Sequence, residues 1–110
     1  MVIEWAFEAR VKLKSIFDYY KFIAGSNTAK RIISDLQESV IPLTKFPEMY
    51  PRELSLEDFQ ENFRYIVVRH IFKVIYFIDK PKDKVIIITI FDCRQNPDTL
   101  KNEAKNYLQN

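Results

Sequence analysis

The chain has one cysteine, one glycine and one histidine in 110 residues. Each scarcity removes a class of chemistry. A single cysteine closes no intramolecular disulfide and builds no zinc site of several thiolates. A single glycine supplies neither a Walker loop nor a dinucleotide-binding fingerprint, since both need more than one. With one histidine, every mechanism that requires two imidazoles is gone. The longest apolar run, Val85 to Phe91, falls far short of the roughly 20 residues that cross a bilayer. Glu4, Glu8, Arg10, Lys12 and Lys14 interrupt the N-terminal region, which does not read as a secretion signal. The expectation is a cytoplasmic protein with a reduced thiol.

What is present suits a packed core. Hydrophobic residues make up 47% and charged residues 29%, so the chain is not globally disordered. Its length predicts a single domain over residues 1–110. The net charge is +2, but residues 1–61 carry −2 and residues 62–110 carry +4. Four acids and no base lie between Glu53 and Glu61, whereas Arg64, Arg69, His70 and Lys73 follow with no acid before Ile78. A basic second half suits anionic partners.

Periodicity gives the element order. Val2 to Trp5 reads as a short strand. Ala9, Leu13, Ile16, Tyr20 and Ile23 form one helical stripe, widened by Phe17 and Ala24. Gly25 stops that helix, and Ser26, Asn27 or Thr28 can cap the next. The second stripe is Ala29, Ile32, Ile33, Leu36 and Val40, ended by Pro42. Two helices so closely spaced predict an antiparallel αα-hairpin. Residues 44–61 hold two prolines and scattered Leu54, Leu56 and Phe59, and read as a long connection. Three strands follow, at 63–69, 72–78 and 85–91, the last apolar on both faces and so expected to be central. Asn96 and Pro97 open a terminal helix as N-cap and first residue. The reading is an α+β fold, β-α-α-β-β-β-α, with an antiparallel sheet packed on the N-terminal hairpin.

These segments, in this order, resemble the RelE/ParE toxin superfamily. The resemblance rests on the first-helix stripe from Ala9 to Tyr20, on Leu43-x-x-Phe46-Pro47, and on the strands Phe63–Val67 and Phe72–Ile78. It extends through the run from Ile88 to Pro97, with Arg94 after the last strand. It implies the toxin of a type II toxin–antitoxin module, a plasmid-stabilisation-like protein neutralised by a cognate antitoxin. ParE-like members poison DNA gyrase, and RelE-like members cut mRNA on the ribosome without a metal. Operator DNA is met only through the antitoxin. No cofactor, metal or membrane is implied.

A nuclease of this kind needs a base for the ribose 2′-hydroxyl, cations for the phosphate, and an acid for the leaving oxygen. The resemblance maps Arg64, Lys73 and Arg94 onto the cationic positions. They are the catalytic candidates if the chain is a nuclease, as a phosphate-binding cluster. Ile66 stands where such members carry a second strand lysine, and Leu100 stands near where some carry a tyrosine. Tyr65 and Tyr76 are the candidates for stacking on RNA. Cys93 has no histidine or cysteine near it in sequence and reads as a structural thiol. The two departures favour a ParE-like inhibitor of a protein target. The alternatives are a RelE-like mRNA endonuclease and an inactive or repurposed binding member. Phe17, Phe22, Ile33 and Val40 exceed what one core stripe needs, and predict an apolar groove for the antitoxin.

Overall fold

The structure, a computed structural model, describes residues 1–109. Strand β1 (Val2–Trp5) leads into helices α1 (Phe7–Ala24) and α2 (Ser26–Ser39). Strands β2 (Arg64–Val68), β3 (Phe72–Asp79) and β4 (Lys84–Asp92) follow, then helix α3 (Pro97–Gln109). The expected α+β order holds. The sheet runs β1-β4-β3-β2. β2, β3 and β4 pair antiparallel, whereas β1 joins β4 in parallel, with Trp5 opposite Ile87. The sheet is therefore mixed rather than wholly antiparallel. The helical hairpin carries the chain from β1 back across one face, which leaves β1 pointing along β4. β4 is central and almost wholly buried, as an apolar strand covered on both faces must be.

The hairpin turns on one residue. Gly25 has φ of 92°, a region that disfavours side chains, and it alone separates the two helices. Its N–H donates to the Lys21 carbonyl and its own carbonyl accepts from Ala29. The expected side-chain cap from Ser26, Asn27 or Thr28 is not used. The glycine makes the reversal so abrupt that those residues already lie within α2.

Ala9, Ile32, Leu36, Val40 and Leu43 pack against Ile66, Val68, Phe72, Val74, Tyr76, Val85, Ile87 and Ile90. This is the hairpin side of the sheet. On the other side, Leu100 and Ala104 of α3 and Leu56 of a 3₁₀ turn (Leu54–Leu56) cover Phe63, Ile75, Ile86, Ile88 and Phe91. Asn96 caps α3 as expected, with its side-chain oxygen accepting from the Asp98 N–H at 3.0 Å. Lys12–Glu103 and Lys101–Asp58 ion pairs tie that helix to α1 and to the long connection.

Candidate functional site

The register of the sheet decides what the cationic candidates can do. Arg64 lies opposite Tyr76, and Lys73 lies opposite Val67. Side chains alternate faces along a strand, so Lys73 points away from its neighbours Phe72 and Val74, which face the hairpin. Arg64 shares the hairpin face with Ile66 and Tyr76. Arg64 and Lys73 are thus on opposite sides of the sheet. Arg94 lies past the end of β4, where Asp92 pairs with Phe72. From Tyr76 to Phe72 is about 13 Å of strand, so Arg94 is also far from Arg64. The expected cluster of three cations is not formed, because spacing in sequence does not reveal which face each strand residue takes.

Each cation is already engaged. Arg64 donates from Nη1 to the carbonyls of Tyr50 at 2.6 Å and Glu48 at 3.2 Å. Beside it the Tyr76 hydroxyl donates to the Pro47 carbonyl at 2.8 Å. Burial pushes the Tyr76 pKa up to about 12, which keeps the hydroxyl protonated as a donor. Tyr76 is fully buried and offers no stacking surface. Arg94 grips Asp92 through Nε at 3.0 Å and Nη2 at 2.6 Å. That contact holds the Asp92 carboxyl below its usual range and raises the guanidinium further. Arg94 stands at the rim of a cavity of about 260 Å³ whose walls include Lys12, Ile16, Tyr19, Tyr20 and Phe72.

Lys73 has the most enclosed partner. Its Nζ lies 2.7 Å from Glu53 Oε1 and 4.4 Å from the centre of the Tyr65 ring. The Glu53 side chain is only 7% exposed, against 27% for Lys73. Glu53 Oε2 accepts from the Ser55 hydroxyl at 3.1 Å and from its N–H at 3.4 Å. Glu53 has no signature in the sequence because it sits in an irregular, acidic stretch. A half-buried strand lysine needs a counter-charge, which is the one hint of an acidic partner. Cys93 is exposed rather than buried, and partial desolvation raises its thiol pKa. It is poorly suited to act as a thiolate.

The residues expected to form an apolar groove divide. Phe22 is 91% exposed at the tip of the hairpin. Phe17 is half-buried with the Lys21 ammonium 6.0 Å from its ring centre. Ile33 is partly buried against the hairpin-side core. Val40 is only 3% exposed within that core, so it cannot line a groove. The helix ends at Ser39 and a 3₁₀ turn at Ile41–Thr44 folds Val40 and Leu43 inward. Tyr19 and Ile23, on the same side of α1 as the cavity, extend the exposed apolar surface instead.

The Leu100 position is explained by packing. Leu100 is 3% exposed beneath α3, where it fills the second core and has no route to a reacting group. Ile66 likewise faces the hairpin core. A lysine there would bury an unpaired ammonium. Lys73 and Arg94 are paired with carboxylates within the chain, whereas Arg64 is held by backbone carbonyls. Arg64, Lys73 and Arg94 do not converge on one open position.

Residues 3–97 match the family model described as the ParE toxin of the type II toxin–antitoxin system, parDE. Among solved structures, the fold is similar to a chain of the chromosomal ParDE TA system from P. aeruginosa. The TM-score is 0.70 at 20% identity, over 84% of this chain and 95% of that one. No curated protein sequence matches the chain. With a match that extends from β1 to the start of α3, the chain belongs to the ParE toxin family of type II toxin–antitoxin systems.

Proposed function

We propose that this toxin acts in the cytoplasm by binding a protein, DNA gyrase, and that a cognate antitoxin neutralises it. The observation that carries the reading is the dispersal of Arg64, Lys73 and Arg94. Two are on opposite faces of the sheet and the third is at a strand end, each held by an internal acceptor. Phosphodiester cleavage needs such groups convergent on one phosphate and free to take its charge. Binding to a protein surface makes no such demand. The chain acts as one domain over residues 1–110. The antitoxin lies over the exposed apolar residues of the hairpin, Phe22 foremost, with Phe17 and Ile33 at its margin. Operator DNA is reached only through the antitoxin.

The test is controlled expression with mapping of mRNA 5′ ends, followed by a supercoiling assay with purified gyrase. Growth arrest with intact mRNA and inhibited supercoiling is the expected result. New ribosome-dependent cuts, lost on Lys73→Ala or Arg94→Ala, would overturn the reading in favour of an mRNA endonuclease.

A further inference from the structure

We propose that the tip of the helical hairpin docks an acidic amphipathic segment of a protein partner. Lys21, Lys30 and Arg31 take its carboxylates, and Phe22 and Ile23 take its apolar side chains. The inference rests on the reading of the hairpin as the antitoxin surface, and adds the chemistry of the segment that covers it.

The tip carries cations without counter-charges. From Tyr19 to Ser34 the chain has Lys21, Lys30 and Arg31 and no acid. A helix rises about 1.5 Å per residue, so all three lie within about 10 Å of Gly25 along the helix axes. All three are exposed, and none makes an ion pair among the described residues. The acids that bound the stretch are engaged elsewhere. Asp18 accepts from Lys14 at 3.2 Å, and Asp35 accepts from Arg69 at 2.7 Å. The next acid along α2, Glu38, stands about 12 Å beyond Lys30, more than a screening length at physiological salt. The surplus at the tip is therefore positive.

The same tip is apolar. Phe22 is 91% exposed, Tyr19 54% and Ile23 52%. Lys21 stays beside this surface, with its Nζ 6.0 Å from the centre of the Phe17 ring. A phenyl ring left in water at the end of a hairpin adds nothing to folding and gains by burial against another apolar surface. Charge selects what brings that surface. A second copy meeting tip to tip would oppose like charges. A nucleic acid would satisfy the cations and leave Ile23 facing phosphates. A segment whose carboxylates flank an apolar stripe satisfies both sets of groups.

The full chain is titrated against a fluorescein-labelled helical peptide with Leu on one face and Glu along its flanks, and anisotropy is read at low and at physiological salt. The same peptide with Gln for Glu binds about tenfold more weakly, and the gap narrows as salt rises. Lys21→Gln, Lys30→Gln and Arg31→Gln combined weaken the Glu peptide about tenfold and leave the Gln peptide unchanged. Phe22→Ala weakens both peptides several-fold. All four side chains are exposed, so the variants keep the fold. Equal affinity for the two peptides, with both weakened by Phe22→Ala, overturns the proposal and leaves the hairpin as an apolar antitoxin surface. Binding of both peptides indifferent to Phe22→Ala overturns that surface as well. Tighter binding of a single-stranded RNA, or of phosphatidylglycerol vesicles, that is lost in the triple variant also overturns the proposal. So does a dimer of the chain that sedimentation detects and Phe22→Ala abolishes. None of these readouts needs gyrase.

Discussion

The two faces of the sheet are covered in different ways. Against one lies a pair of long amphipathic helices that seal an apolar core from Ala9 to Ile90. Against the other lie a short terminal helix, one 3₁₀ turn and an irregular acidic connection. Regular helices bury whole stripes of side chain and satisfy their own backbone, so the first face needs few polar contacts. An irregular cover leaves gaps, and the second face fills them with the Glu53–Lys73 pair and an open cleft. The hairpin face opens only at the strand end, in the cavity beside Arg94, whereas the loosely covered face places the Lys73–Glu53 pair on the sheet itself.

The comparison breaks most readily in the core. Leu36→Ala, fully buried under the hairpin, is expected to cost about 4 kcal/mol in urea denaturation, since two rigid helices cannot close over the hole. Leu56→Ala, equally buried beneath the 3₁₀ turn, should cost about 2–3 kcal/mol because a short irregular segment relaxes inward. Equal losses would show that the second cover is as rigid as the first.

A smaller effect comes from Tyr76, which anchors the connection from the hairpin side. Tyr76→Phe leaves the Pro47 carbonyl without its donor, for a loss of about 1 kcal/mol. The folded pKa is raised from its ordinary 10.0 to about 12. The neutral phenol therefore contributes stability that is complete below pH 10 and lost as pH rises towards 12. Denaturation midpoints of the parent should fall across that window relative to those of Tyr76→Phe. Parallel curves for the two proteins would refute the buried donor.

The β2–β3 turn gives a gain. Arg69 and His70 both have positive φ, 54° and 63°, at the central positions of the turn that the Ile71 N–H closes onto the Val68 carbonyl within a three-residue loop, positions that favour glycine. His70→Gly should raise stability by about 0.5–1 kcal/mol, measured by the same titration, since Arg69 keeps its ion pair to Asp35 on α2. A loss would mean that the His70 side chain holds a contact between the turn and its neighbours. The smallest effect belongs to the outer surface of the hairpin. Asp18→Asn breaks an exposed pair with Lys14 and should change stability by less than about 0.5 kcal/mol. A larger change would show that the hairpin surface, as well as its core, stabilises the sealed face.

Legibility in the sequence tracks the same division. The stripes Ala9–Ile23 and Ala29–Val40, the apolar run of β4 and the Asn96–Pro97 start of α3 could be read because a regular element repeats its burial pattern. The 44–61 connection has no period, so neither the burial of Leu56 nor the role of Glu53 could be read from it. Val40 illustrates the limit within a regular element. Its place in the stripe was visible, but its burial depends on Pro42 and Leu43 turning inward just beyond the helix end.

By itself the sequence determined the order of elements, the glycine at which the hairpin reverses, and the family, because those follow from local periodicity and the ordered set of segments. Only the tertiary structure decided that β1 runs parallel to β4, that Arg64 and Lys73 face opposite sides, and that Glu53 meets Lys73. Those facts depend on strand register and on the path of an irregular chain, where residues 20 apart in sequence come within hydrogen-bond reach. Such contacts carry no local signature, since the free energy that selects them is spread over the whole packed core.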